Sequence, residues 1–311
     1  FHVYAVTQLV RKTGAFMQHQ TSMGFIGLGV MGEPMCRNLA QKTGRVVKAS
    51  DLDPAPLARL APYGVQSASL AEIMADCDII FMSLPSGEVV QQVCHAPEGL
   101  LNNTRAGQCI VDLSTSRVDT TRQLALEFAD KGVDFADAPV ARTRAAAESG
   151  TLAVMVGATE TVFQRIKPLL ETFATDISLC GPVGCGQVVK ILNNMVLFET
   201  VLALSEAKAI GERAGVDPHV LFHTLSSGSA DSFALRSHGM KSMLPGDFPE
   251  KAFSVRYALK DLSYALKLAQ ETGVDARAAH VVEGWMNEAI DSGLGDLYHP
   301  VISRLVAAVE K

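Results

Sequence analysis

A glycine-rich turn between an apolar segment and a helical segment constrains the fold of this chain more than any other feature. Residues 25–32 read Phe-Ile-Gly-Leu-Gly-Val-Met-Gly, a G-x-G-x-x-G pattern. The first glycine permits a tight turn, the second lets the backbone approach a pyrophosphate, and the third allows the helix to pack closely on the strand. The amino end of that helix would face the phosphates. A glycine turn in a flavodoxin-like sheet is the alternative. The residues predicted to bind a dinucleotide here are Gly27, Leu28, Gly29, Val30, Met31 and Gly32.

Asp51, at the end of the next predicted strand, supports the dinucleotide interpretation. It follows Gly27 by 24 residues, close to the spacing of about 20 residues expected for the acid that binds the adenosine ribose hydroxyls. A carboxylate there favours a free 2′-hydroxyl and repels a 2′-phosphate. The next basic residue, Arg59, already belongs to the following predicted helix. The sequence therefore favours NAD over NADP as cofactor, unless Asp51 is only a turn residue in Asp-Leu-Asp-Pro.

Short β-branched runs alternate with helical patterns from residue 23 to about residue 180, which is typical of βαβ units with a largely parallel sheet. The pattern then becomes helical, beginning with an unbroken stretch over 187–214 that contains no proline. We predict an α/β fold in which a doubly wound Rossmann sheet is followed by a long interdomain helix and an all-α domain. The predicted parts are a leader (1–22), an NAD-binding domain (23–185) and an all-α substrate and dimerisation domain (186–311).

Composition and charge exclude several classes of partner. The chain has 311 residues and a net charge of −6, and it contains no basic block, so we expect neither nucleic acid nor an anionic membrane as partner. No continuous apolar run approaches the roughly 18 residues that suggest a membrane span. The six cysteines are scattered and form no CxxC pair. This usage predicts free thiols in a reducing compartment, and hence a cytoplasmic protein.

Residues 1–22 are predicted to lie outside the fold. They contain no Asp or Glu, and their apolar stretch over 3–10 is followed, not preceded, by Arg11 and Lys12. That order does not fit a secretory signal. A transit peptide and an upstream or artificial leader remain the alternatives.

Lys190 and Asn194 lie four residues apart on the predicted long helix and so share one of its faces near the domain junction. Hydride transfer at an alcohol carbon requires a group that removes or supplies the hydroxyl proton. A lysine in a partly dry cleft can do so because desolvation lowers its pKa towards neutrality. By spacing alone, a solvated surface lysine is the more common case.

The chain resembles the β-hydroxyacid dehydrogenase family, which includes 3-hydroxyisobutyrate dehydrogenase, in motifs that run in family order from residue 23 onwards. The resemblance implies that Lys190 is the catalytic acid/base and that Ser114, Asn193 and Asn194 contact the substrate. It also implies a cofactor border formed by Leu84, Pro85, Thr115 and Lys260. The matching motifs are G-F-I-G-L-G-V-M-G-E-P-M (24–35), M-S-L-P (82–85), D-L-S-T (112–115), D-A-P-V (137–140), G-T-L-A-V-M-V-G (150–157), G-Q-V-V-K-I-L-N-N (186–194) and L-K-D-L (259–262).

One departure from the family pattern follows D-A-P-V. Most members of the family carry Ser-Gly-Gly there, with backbone amides that hold the substrate carboxylate, whereas this chain reads Ala-Arg-Thr over 141–143. The change resembles the variant found in 3-sulfolactaldehyde and succinic semialdehyde reductases, in which an arginine binds the anionic end of the substrate. Arg142 is therefore predicted to anchor an anion, since its planar fork suits carboxylate or sulfonate oxygens. A surface arginine is the alternative.

These features together predict an NAD(H)-dependent oxidoreductase that interconverts a small anionic β-hydroxyacid, or hydroxy sulfonate, and its semialdehyde. The alternatives are an NADP(H)-dependent tartronate semialdehyde reductase and a nicotinamide-binding sensor without turnover. A homodimer or homotetramer is expected from the resemblance. No metal site is predicted, because His219 and His223 lack a third ligand in the sequence pattern.

Overall fold

The computed structural model describes residues 21–250 and 252–308. The predicted leader lies outside these residues except for its last two positions. Ser22 belongs to the fold, because its backbone carbonyl accepts hydrogen bonds from the amides of Asp78 and Ile79 and its own amide donates to the Asp78 carboxylate at 3.0 Å.

The described residues form nine strands and thirteen α-helices. The strands are β1 Met23–Ile26, β2 Val47–Ser50, β3 Val65–Ser67, β4 Ile79–Met82, β5 Cys109–Asp112, β6 Asp134–Asp137, β7 Val140–Ala141, β8 Leu152–Gly157 and β9 Ala174–Gly181. The helices are α1 Gly32–Thr43, α2 Pro54–Leu60, α3 Leu70–Asp76, α4 Gly87–His95, α5 Leu100–Asn103, α6 Val118–Ala129, α7 Arg144–Ser149, α8 Glu160–Leu170, α9 Cys185–Arg213, α10 Pro218–Ser226, α11 Val255–Thr272, α12 Arg277–Asp291 and α13 Ile302–Ala308. Shorter 3-10 turns span Ala61–Tyr63 and His299–Val301, and a π-helix spans Leu235–Met243.

The sheet is doubly wound around its first strand. Its order is β3-β2-β1-β4-β5-β6-β8-β7, with β9 paired to β8, and its first six strands run parallel. The order reverses between β1 and β4, and ligands bind in the crevice outside the carboxyl ends of the strands at such a switch point. All four residues of β1, β4 and β5 are buried, because helices cover both faces of a parallel sheet.

The far edge of the sheet departs from the parallel arrangement. Strand β8 runs antiparallel to β6 and β7, and β9 runs parallel to β8. The chain breaks at Ala138 and Pro139 between β6 and β7. The elements β3, α3 and α5 and the π-helix are too short or too irregular to show a clear hydrophobic period in the sequence.

Helix α9 joins the sheet to the helical domain. It has 29 residues and therefore a length of about 43 Å at 1.5 Å per residue, and it packs against β8, β9, α11, α12 and α13. Among the described residues it is also the one helix long and apolar enough to cross a membrane, although the core helix of a soluble protein passes the same test. Because this helix carries Lys190 and Asn194 among buried residues at its packed face, we read it as an interdomain core helix.

Candidate active site

The glycine-rich turn leaves room where a dinucleotide would lie. Gly27 has a φ of +91°, and a Cβ atom there would lie 2.3 Å from the backbone oxygen of Ser83. A Cβ at Gly32 would lie 2.1 Å from the carbonyl oxygen of Gly27, whereas a Cβ at Gly29 would meet no atom within 4 Å. Two glycines are thus required by contacts within the protein, and the remaining one faces open space. Helix α1 begins at Gly32 with no side-chain cap, and the positive end of its dipole favours a phosphate there. These residues fit a dinucleotide.

Asp51 is bound into the same turn. Its carboxylate accepts the backbone amides of Leu28 at 2.5 Å and Asp53 at 2.8 Å. Arg59, the basic residue that follows it in sequence, forms a bidentate ion pair with Glu33 at 2.7 and 2.8 Å. The adenosine end of the turn therefore presents a carboxylate, and the nearby guanidinium is already neutralised.

The loops that follow β4 and β5 are joined by Ser114. Its hydroxyl oxygen accepts the backbone amide of Leu84 at 2.9 Å, and its own amide donates to the Asp112 carboxylate at 2.9 Å. Burial raises the pKa of Asp112 to about 6. The Ser114 hydroxyl also hydrogen-bonds the Asp112 carboxylate, which lowers the pKa of Asp112 and so opposes the effect of burial. Thr115 is half-buried beside it, and Pro85 is exposed after Leu84.

The start of α9 is fastened to the carboxyl edge of the sheet. Asp137, at the end of β6, accepts the backbone amides of Gly184 and Gln187, each at 2.7 Å. The Gln187 side chain accepts the amide of Ser116 at 3.0 Å and donates to the carbonyl of Ser114 at 2.8 Å. This attachment fixes the next helical turn, which carries Lys190. Sequence reasoning missed both positioning residues, although an acid at a strand end and a glutamine one turn before the lysine are visible in retrospect.

Lys190 is buried, with 8% of its surface exposed. Its Nζ donates to Oδ1 of Asn194 at 3.2 Å, as the i, i+4 spacing predicts. Desolvation lowers the pKa of Lys190, and the Lys260 charge lowers it further, whereas the Asp261 carboxylate acts in the opposite direction. The lowered pKa makes this amine easier to deprotonate than a solvated lysine.

Asp261 extends the lysine contact into a charged chain. The Asn194 amide donates to Oδ2 of Asp261 at 2.7 Å, and the other oxygen of Asp261 lies 3.1 Å from Nζ of Lys260. Asn193 also donates to Oδ1 of Asn194, at 3.2 Å. The family resemblance predicts Lys260 as a site residue but not Asp261, which follows it. The available signal was an acid in the L-K-D-L motif, but its partner lies 67 residues away.

Arg142 is held by a different part of the structure. Its backbone has a φ of +86°, which no other described residue except glycines shares. Its guanidinium donates to the Thr151 carbonyl at 2.7 Å and to the Thr175 hydroxyl at 3.1 Å, and it pairs with Asp176 at 2.7 Å. No hydrogen bond among residues 21–250 and 252–308 joins it to Lys190 or Asn194. Within the same residues, no group of three or more His, Cys, Asp or Glu side chains is placed to hold a metal ion.

Comparison with known proteins covers both domains. A family model described as the NAD binding domain of 6-phosphogluconate dehydrogenase matches residues 22–181. A second, described as NAD-binding of NADP-dependent 3-hydroxyisobutyrate dehydrogenase, matches residues 184–306. The two matches meet where the sheet ends and α9 begins.

Similar individual proteins span almost the whole chain. The 2-(hydroxymethyl)glutarate dehydrogenase of Eubacterium barkeri is 38% identical over 86% of this chain and 90% of its own length. The 2-hydroxy-3-oxopropionate reductase of Escherichia coli is 33% identical over 93% of this chain and 97% of its own. A solved structure of Mycobacterium tuberculosis 3-hydroxyisobutyrate dehydrogenase with L-serine superposes with a TM-score of 0.85, at 30% identity, over 93% of this chain and 99% of that one.

Proposed function

Since this chain belongs to the β-hydroxyacid dehydrogenase family, it is an NAD(P)-dependent oxidoreductase of hydroxyacids and semialdehydes, and we propose that Lys190 is its proton relay. The observation that carries the proposal is the buried Lys190 amine, which is hydrogen-bonded to Asn194 one turn after the attachment of α9 to the sheet. The buried amine has a lowered pKa, which suits it to exchange a proton with a substrate hydroxyl.

The proposed division of labour follows from the geometry. In the oxidative direction neutral Lys190 removes the proton of the substrate hydroxyl, and in the reductive direction its ammonium returns it to the carbonyl oxygen. Asn194 holds the amine at 3.2 Å, and Ser114, on the neighbouring loop, contacts the same substrate. The nicotinamide, when bound at the glycine-rich turn, supplies the hydride chemistry.

Replacing Lys190 with alanine tests the relay. We expect turnover to fall by about 10²- to 10⁴-fold, the usual contribution of a positioned acid or base, while NADH binding is retained. Lys208→Ala is the matched control, because Lys208 lies on the same helix but pairs with Glu212 at 2.8 Å. Survival of full activity in the Lys190 variant would refute the relay. A wild-type protein that binds NADH without turning over any semialdehyde would favour the sensor alternative.

We propose NAD as the preferred cofactor. The support is the Asp51 carboxylate, which is bonded to the glycine-rich turn, together with the bidentate ion pair of Arg59 and Glu33. The carboxylate would repel a 2′-phosphate, and Arg59 is already paired with Glu33. The family model that matches residues 184–306 is described with an NADP-dependent enzyme, which favours NADP instead. The test is kcat/KM with NADH and NADPH. A preference for NADPH would overturn this assignment and leave the lysine relay untouched.

We propose that the loop after β7 holds the anionic end of the substrate and that Arg142 contributes to it. The contacts to Thr151, Thr175 and Asp176 use Nη1 and Nη2, which leaves the Nε–H of the fork for a further anion. Arg142→Gly should raise KM for anionic aldehydes and not for uncharged ones. Because glycine tolerates a φ of +86° without strain, the variant should also be at least as stable as the wild type. Arg144→Gln, which breaks only an exposed pair with Glu148, is the control, and equal effects on charged and uncharged aldehydes would refute the anchor.

We also propose that the protein is a homo-oligomer of the cytoplasm. Val189, Leu192 and Val196 form one stripe on α9 and are 41%, 38% and 57% exposed, which is a costly arrangement for an interdomain helix unless a second copy covers it. Four of the six cysteines are buried as free thiols, as expected in a reducing compartment. Light scattering after gel filtration measures the assembly, and a monomer would refute this part of the proposal.

A further inference from the structure

Two side chains of the helical domain donate hydrogen bonds to one backbone oxygen of the nucleotide-binding domain. The Tyr257 hydroxyl donates to the carbonyl of Pro85 at 2.5 Å, and Nζ of Lys260 donates to the same carbonyl at 3.1 Å. Both residues lie on α11, three positions apart and therefore on one face. Pro85 lies in the loop between β4 and α4. A carbonyl oxygen has two lone pairs and can accept both bonds at once.

The loop that contains Pro85 borders the glycine-rich turn. A Cβ at Gly27 would lie 2.3 Å from the Ser83 oxygen and 3.0 Å from a methyl carbon of Leu84. Leu84 is in turn bonded through its amide to Ser114. Pro85 therefore lies at the rim of the space where a bound dinucleotide would meet the substrate, and helix α11 reaches that rim from the opposite domain.

The two side chains that bond the Pro85 carbonyl differ in their other contacts. Nζ of Lys260 lies 4.4 Å from the centre of the Tyr257 ring and 3.1 Å from the Asp261 carboxylate, so the lysine is held in several ways. Tyr257 is 42% exposed, and its hydroxyl bonds the Pro85 carbonyl. Moving the two domains apart at this place requires breaking the tyrosine bond together with the longer lysine bond.

We propose that Tyr257 is a latch that closes the helical domain over the bound nicotinamide cofactor and slows its release. The inference rests on the proposed function, because the latch acts on a cofactor held at the glycine-rich turn. Tyr257 acts through the Pro85 loop, and its effect lies in the exchange of cofactor and not in the chemistry of hydride transfer.

Tyr257→Phe removes the hydroxyl and keeps the ring that faces Lys260. Tyr264→Phe is the matched control, since Tyr264 lies on the same helix, also faces Lys260 at 5.5 Å, and bonds Glu88 at the longer distance of 3.4 Å. The measurement is the rate of NADH release, followed by the loss of NADH fluorescence when excess NAD⁺ is mixed with the complex. Thermal melting of each unliganded variant verifies that it is folded.

We expect Tyr257→Phe to release NADH about three- to tenfold faster, as the loss of one such hydrogen bond implies, with Kd raised by the same factor. The Tyr264 control should stay within about twofold of the wild type, on the same reasoning for a long bond. Unchanged release in Tyr257→Phe, or equal acceleration in both variants, would overturn the latch. Failure of the wild type to bind NADH would instead overturn the proposed function, so the two failures are distinguishable.

Discussion

Replacing Asp261 with asparagine should shift the pH dependence of catalysis to lower pH. The Asp261 carboxylate favours the protonated form of Lys190, against the lowering of the lysine pKa by burial. Asparagine keeps the shape of the side chain and an acceptor for Asn194, but removes the charge. The variant should therefore lower the pKa of Lys190 further.

The size of the shift follows from the geometry of the chain of contacts. Nζ of Lys190 lies 3.2 Å from Oδ1 of Asn194, and Nδ2 of Asn194 lies 2.7 Å from Asp261. Including the width of the amide, the two charges are about 8 Å apart, and an effective dielectric constant of about 20 gives an interaction of about 2 kcal/mol. At about 1.4 kcal/mol per pH unit, this corresponds to about 1.5 pH units.

The assay is kcat/KM against pH in both directions with the same substrate pair. Oxidation needs the neutral amine, so its acid limb should move down by about 1.5 pH units. Reduction needs the ammonium, so its alkaline limb should move down as well. Asp275→Asn is the control, because it removes an equal charge from an exposed pair with Arg277. An acid limb that stays in place, or that moves to higher pH, would contradict the electrostatic role of Asp261.

Two further predictions concern stability. A Cβ at Gly186 would lie 2.4 Å from the Met155 carbonyl oxygen, so Gly186→Ala should lower the free energy of unfolding in urea by about 1–3 kcal/mol. Gly284→Ala on α12, whose Cβ meets no atom within 4 Å, should raise it by about 0.5–1 kcal/mol. Equal effects of the two substitutions would contradict the close packing of α9 on β8. Burial lowers the pKa of His238 from 6.5 to about 4, so the unfolded chain binds the proton first and stability falls as the pH drops from 6.5 towards 4. Between pH 7 and 4.5 the wild type should lose about 2.5 kcal/mol more than His238→Phe, and parallel losses in urea midpoints would count against this.

The local sequence determined the elements with strong periods or strict backbone demands. The G-x-G-x-x-G turn and Asp51 specified a strand, a turn and a helix at the switch point of a doubly wound sheet. The reason is that a positive φ at Gly27 and close contacts at Gly32 are requirements that few other patterns meet. The apolar stretch of α9 and the spacing of Lys190 and Asn194 followed from helical geometry. These features depend on residues within a turn or two of one another, and their interpretation needed no knowledge of packing.

Only the tertiary structure decided which distant residues complete the site. Asp261 reaches Asn194 across 67 positions, and Asp137 reaches Gln187 across 50, because α11 and β6 pack on α9 and bring their polar side chains to one place. Arg142, the predicted anion anchor, also pairs with Asp176 on β9, a strand whose pairing with β8 no local pattern encodes. Sequence period reports which face of an element is buried, whereas the partner of a buried charge is set by the packing of elements that are far apart in the chain.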